Sequence, residues 1–186
     1  GKRDVCIHPI AKDDVQRIID VCHEKQIGCV VVGKDKIAVI HPEKMKYIMQ
    51  DMLHVPYEKL MSPLSEVMQD DVLQVTPFFT LEQEAEVLPH LHSVVSARWY
   101  PDFTDITASD ANKGQGLVAM TEADGIAIAD TIAFGDGGND VTILRQAGIG
   151  VAMDNATDDV KANADYVTTS VDNDGIANAL QHFGVI

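Results

Sequence analysis

Asp136, Asn139 and Asp140 stand together in the hexapeptide G-D-G-G-N-D at residues 135–140, directly after the apolar run T-I-A-F. Two carboxylates four residues apart, an amide beside the second and three glycines form a dense set of oxygen donors with little bulk around it. Hard oxygen donors of this kind suit Mg²⁺, which takes one or two carboxylates and fills its other positions with water or phosphate. Asp136 comes immediately off an expected strand. Asp140 projects to the same side if a helix begins near Gly138. The Asn139 amide is suited to holding a phosphate oxygen or orienting a carboxylate, and the glycines let backbone and ligand approach. The bland alternative is a Gly-rich turn in which Asp and Asn act as turn formers and helix caps. The whole hexapeptide at a strand-to-helix junction favours the ligand reading. Its glycines do not fit G-x-G-x-x-G, and the alternating acidic ladder of an EF-hand is missing.

Lys113, in A-S-D-A-N-K-G-Q-G-L, falls in the first turn of an expected helix. The helix macrodipole disfavours a cation there. A phosphate, or a carboxylate about to receive one, would offset that cost; a solvated lysine is the alternative. Other polar residues carry less. His41, His54, His90 and His92 follow no H-x-x-x-H or H-E-x-x-H spacing, so a zinc site is not expected. Met45, Met49 and Met52 read as a core stripe. Arg98 is a candidate to reach an anionic or hydroxylated substrate, with strand packing as its alternative. Asp172 and Asp174 read first as a helix N-cap; the alternative is that the segment, which follows a strand, faces the site.

These residues need elements to hold them. Val15, Ile18, Ile19 and Cys22 mark one face of a helix over residues 11–26. Residues 29–40 read as two strands around a Gly-Lys-Asp turn. R-D-V-C-I-H near the start, residues 72–79 and residues 93–100 read as further strands, with helices over residues 42–54 and 81–91. This is an α+β layer with antiparallel pairing. After Pro101 the pattern changes to strand, helix, strand, helix with short loops, the mark of a parallel α/β sheet. F-T-D-I-T-A-S is a short strand, and Gly148 is expected to close the helix after the hexapeptide. A domain boundary is expected near residues 98–104, giving domains 1–100 and 101–186.

Composition narrows the partners. The 186 residues include 29 acidic and 14 basic side chains, a formal charge of −15. Such a surface repels nucleic-acid phosphates and anionic lipid, so neither is an expected partner, and it favours a cation. The odd number of cysteines (Cys6, Cys22, Cys29) without CxxC spacing fits a reducing cytoplasm. No signal peptide or long apolar segment appears.

N-K-G-Q-G-L, followed some twenty residues later by I-A-F-G-D-G-G-N-D-V-T-I-L-R-Q-A-G-I-G-V-A-M-D-N-A-T-D-D-V-K-A-N-A-D-Y-V-T-T, resembles the haloacid dehalogenase superfamily. Within it the match is to the Cof-type sugar-phosphate phosphatases, which carry an α+β cap of type C2B. The resemblance covers the whole second half, and the first half fits the cap in length and pattern. It implies a Rossmann-like parallel-sheet core, of which this would be the C-terminal part, and Mg²⁺-dependent hydrolysis of small phosphate monoesters through an aspartyl-phosphate. Carried over, Lys113 neutralises nucleophile and phosphate, Asp136 ligates Mg²⁺, Asp140 is its partner directly or through water, and Asn139 contacts phosphate. The family usually has Gly where Asp154 stands, and Asn tends to follow, as Asn155 does.

The resemblance has one large departure. The family's nucleophile lies in an N-terminal D-x-D-G-T motif, and no D-x-D-G-T occurs in this chain. The chain is therefore expected to be inactive by itself, with its T-I-A-F-G strand exposing an edge unless a missing N-terminal segment or a second chain covers it. A non-catalytic module that binds a phosphorylated ligand or a partner is the alternative.

Overall fold

In a computed structural model that describes residues 4–48 and 61–186, the chain forms two compact units, each with its own sheet. Residues 7–110 build the antiparallel unit. It begins with α1 (Lys12–Glu24), whose buried face is Val15, Ile18, Ile19 and Cys22, as the apolar spacing requires. β1 (Cys29–Gly33) and β2 (Ile37–Ile40) form the expected hairpin. A 3₁₀ turn at Pro42–Lys44 follows, then buried Met45 and Ile48. Met49, Met52 and His54 lie outside the described residues. α2 (Leu64–Val67), β3 (Val72–Pro77), α3 (Leu81–Val87), β4 (Val94–Tyr100) and β5 (Phe103–Ala108) complete the unit. The sheet runs β2-β1-β3-β5-β4, with every neighbouring pair antiparallel.

One buried carboxylate anchors α1. Asp14, 1% exposed, accepts the backbone N–H of His92 at 3.1 Å and of Ser93 at 3.4 Å, and faces His92 Nδ1 at 3.1 Å. Burial pushes its carboxyl up, but these donors outweigh burial and hold it below the usual carboxylate value.

The parallel unit comprises residues 4–6 and 111–186. Its helices are α4 (Lys113–Asp124), α5 (Val141–Gln146), α6 (Asp158–Lys161) and α7 (Gly175–His182). Its strands β6 (Ile132–Gly135), β7 (Ile149–Ala152) and β8 (Tyr166–Val167) pair parallel in the order β6-β7-β8. Leu144, Ala152, Ala156 and Val160 pack together between sheet and helices. Among the described residues β6 has one strand neighbour, β7. No described helix is long and apolar enough to cross a membrane.

The structure departs from the sequence reading in four places. R-D-V-C-I-H is not a strand over its described residues. Pro101 and Asp102, read as a break between domains, are the tight turn of the β4–β5 hairpin, in which Tyr100 pairs with Phe103. β5 then pairs with both β3 and β4, so the two units divide after Asp110 rather than near residue 100. Gly148 is not a left-handed cap, since Ala147 ends α5 with φ −65°. Its missing side chain serves packing, because a Cβ there would lie 2.3 Å from the Ala129 carbonyl oxygen. Asp174 does precede α7, but in the left-handed region with φ 54° and without a side-chain capping bond.

Candidate active site

The hexapeptide leaves β6 at its carboxyl end, where ligands bind in parallel α/β sheets. β6 ends at Gly135, a 3₁₀ turn spans Gly138–Asp140, and α5 starts at Val141. Gly135 must be glycine, because a Cβ there would lie 2.4 Å from the Asp140 Cβ. That room lets the Asp140 side chain fold back beneath the loop that carries Asp136.

Asp140 is buried and fully engaged. Its Oδ2 accepts the backbone N–H groups of Asp136 and Gly137, each at 3.0 Å. Its Oδ1 accepts a hydrogen bond from Lys113 Nζ. Burial pushes the Asp140 carboxyl up, but Lys113 and the Gly137 and Asp136 amides outweigh it and hold the group below the usual carboxylate value. Lys113 is the first residue of α4, whose Asn112 cap accepts the Gln115 amide at 3.0 Å. The anion that the dipole argument demands at this helix start is thus the Asp140 carboxylate. Gly114 lets α4 come close to α5: a Cβ there would lie 2.6 Å from the Thr142 carbonyl oxygen.

Asp136 is exposed at the strand end. Its Oδ2 accepts from Asn155 Nδ2 at 3.0 Å. Asn139 is exposed. The structure therefore brings Lys113, Asp136, Asn139 and Asp140 onto one strand-end loop and the helix start beside it. Asn155 is the member with no role in the sequence reading. Its signal is indirect, an Asn in the turn after the next strand, and its contact partner is 19 residues away. Its neighbour Asp154 pairs instead with Lys161 at 3.1 Å.

Arg98 lies in the antiparallel unit with its guanidinium engaged there. Nε donates to Glu84 Oε2 at 2.8 Å, Nη2 reaches the same carboxylate and the Phe79 carbonyl at 2.9 Å, and Nη1 reaches the Pro101 carbonyl at 2.7 Å. This is a fork holding three backbone and side-chain partners, not a free cation. The chain does contain one D-x-D-G spacing, Asp172 to Gly175, but Ile176 follows where the nucleophile motif has Thr. It lies past β8, in the 3₁₀ turn Val171–Asn173 and the start of α7.

The sequence profile of the haloacid dehalogenase-like hydrolases matches residues 2–180. The chain belongs to that family. A solved haloacid dehalogenase subclass IIB sugar phosphatase is 40% identical, superimposes with a TM-score of 0.82, and is matched over 100% of this chain and 72% of its own. The fold is therefore the family's, a parallel α/β sheet joined to an α+β unit. The 5-amino-6-(5-phospho-D-ribitylamino)uracil phosphatase of Bacillus subtilis is 40% identical over 83 residues, which is 45% of this chain and 33% of that protein. A phosphoglycolate phosphatase of Archaeoglobus fulgidus is 40% identical over 81 residues, 44% of this chain and 36% of its own. These last two alignments cover about a third of each relative.

Proposed function

We propose that this haloacid dehalogenase-family chain supplies the cation- and phosphate-binding part of a Mg²⁺-dependent phosphatase for small phosphorylated metabolites, sugar phosphates first among them. In this reading the antiparallel unit is the cap and the parallel unit the C-terminal part of the core. The carrying observation is Asp140, which holds Lys113 with one oxygen and the loop of Asp136 with the other. A helix-start lysine held against a strand-end loop that carries carboxylates is what phosphoryl transfer asks of a protein, since that chemistry is mostly positioning and charge stabilisation. Small phosphorylated substrates are supported by the sugar phosphatase and phosphoglycolate phosphatase relatives.

The donor set fits Mg²⁺ sparingly. Among the described residues no three His, Cys, Asp or Glu side chains converge. Mg²⁺ needs few protein ligands, because it retains waters and takes phosphate oxygens. We assign Asp136 as the direct ligand and Asp140, both of whose oxygens are engaged, as the group that holds the ligand's loop. Bound there, Mg²⁺ would supply positive charge to a phosphoryl group. Lys113 faces the same anion, and the exposed Asn139 amide donates to a phosphate oxygen.

The same geometry supports the view that the chain does not turn over substrate by itself. The carboxylate paired with Lys113 is buried and carries three hydrogen bonds, so it is no free nucleophile. That point also favours the second reading, a module that binds phosphorylated ligands without catalysis. The test is Mg²⁺ and phosphate binding by calorimetry, with hydrolysis of a sugar-phosphate panel, for the chain and its Lys113→Ala and Asp136→Asn forms. Binding that is lost in the variants, without turnover, is expected. Robust turnover overturns the inactivity, and binding unaffected by both substitutions overturns the site.

A further inference from the structure

We infer that Asn155 is a positioning residue that sets how the Asp136 carboxylate is presented to a cation; this rests on the Mg²⁺ reading above. Asn155 sits in the turn after β7, closed by the Ala156 N–H donating to the Met153 carbonyl at 2.9 Å. The turn is seated on β6, because the Met153 N–H donates to the carbonyl of Gly135, the residue before Asp136, also at 2.9 Å. From this seat Asn155 Nδ2 donates to Asp136 Oδ2 at 3.0 Å, and Asn155 Oδ1 accepts the Val171 N–H at 3.3 Å. Val171 opens the 3₁₀ turn that follows β8. One side chain therefore joins the exits of all three parallel strands.

The two bonds also fix which way the amide points. Reversed, its oxygen would face a carboxylate and its NH₂ a backbone N–H, and both contacts repel. Asp136 is thus constrained twice, at its backbone by Asp140 and at its side chain by Asn155. Among the described residues Oδ1 of Asp136 accepts no hydrogen bond, and it is the oxygen left for a metal. Groups that orient a ligating side chain in this way are commonly worth about 10–100-fold in metal affinity.

The test is titration of the 186-residue chain with Mn²⁺, followed by electron paramagnetic resonance, and with Mg²⁺, followed by calorimetry. The forms compared are the unchanged chain, Asn155→Ala, Asn155→Ser and Asp136→Asn, each also melted in chelator. The expected result is metal binding that Asp136→Asn abolishes and both Asn155 variants weaken about tenfold or more, while their metal-free melting midpoints stay with the unchanged chain. Asn155 variants that bind as the unchanged chain does overturn the inference and leave the Mg²⁺ reading standing. So does weaker binding that is matched by a lowered metal-free midpoint, which marks a structural role. No metal binding by the unchanged chain, or binding that survives Asp136→Asn, overturns the Mg²⁺ reading and the inference with it.

Discussion

Replacing Asp140 by asparagine separates its charge from its shape. The Asp140 side chain is 9% exposed, and it accepts bonds from the Asp136 and Gly137 amides and from Lys113. A bond to a charged group contributes about 1.5–3 kcal/mol, and a neutral one about 1 kcal/mol. An asparagine oxygen keeps both amide bonds at the neutral value. Its NH₂ then faces the Lys113 ammonium, but that side chain is 51% exposed and rehydrates, so its share is discounted to about 1 kcal/mol or less. Asp140→Asn should cost about 2 kcal/mol at neutral pH, and Asp140→Ala, which strands both amides, about 3–4 kcal/mol. The pH dependence has a definite sign. The carboxyl lies below its unfolded value in the folded chain, so its stabilisation is complete above the ordinary carboxylate value of 3.8 and is lost as pH falls through the folded value. The gap between parent and Asp140→Asn is therefore widest above about pH 5 and closes as the solution is acidified below about pH 4. Urea unfolding by far-ultraviolet circular dichroism measures it, supplemented by amide exchange at Asp136 and Gly137, because two units need not unfold together. Fluorescence does not serve, since the one tryptophan, Trp99, belongs to the antiparallel unit. Equal stability at pH 7, or a gap that persists unchanged in acid, refutes the reasoning.

Two further substitutions probe the remaining assignments. Arg98→Lys keeps the charge but loses the fork that spans Glu84, Phe79 and Pro101. It should destabilise the antiparallel unit by about 1–3 kcal/mol and leave phosphate affinity unchanged. An undiminished melting midpoint with tenfold weaker phosphate binding would return Arg98 to the substrate. Gly135→Ala sets a methyl 2.4 Å from the Asp140 Cβ, a clash that should cost about 1–3 kcal/mol and move the Asp136 and Gly137 amide resonances. Unshifted amides contradict the seat proposed for Asp140.

Much of this site is legible in the chain because its logic is local. The break from T-I-A-F into G-D-G-G-N-D marks a strand end, and Lys113 at a helix start is a candidate for an anion nearby, with a solvated lysine as the alternative. Spacing cannot say which oxygen of Asp140 faces which donor, so the full engagement of that carboxylate is a property of the three-dimensional fold alone. Asn155 was hidden for a related reason, as its contact crosses from one strand exit to the next. Two misreadings share a cause. Pro101-Asp102 and Gly148 both carry turn chemistry, and turn chemistry does not distinguish a domain break from a hairpin, or a helix cap from a close approach to a carbonyl. The engagement of Arg98 is not legible in the chain because its Phe79 and Glu84 acceptors lie 14 to 19 residues away.

Because Lys113 already has a counter-ion, this end of the sheet is not an electropositive trap. Lys113, Asp140 and Asp136 carry one positive and two negative charges between them, so a dianionic phosphate would meet net repulsion. A divalent cation at Asp136 reverses that sign. Cation and phosphate should therefore bind as a cooperative pair, each raising the other's affinity by the same factor. Charge balance at Lys113 would then act as a lock that keeps stray anions out until the metal has arrived.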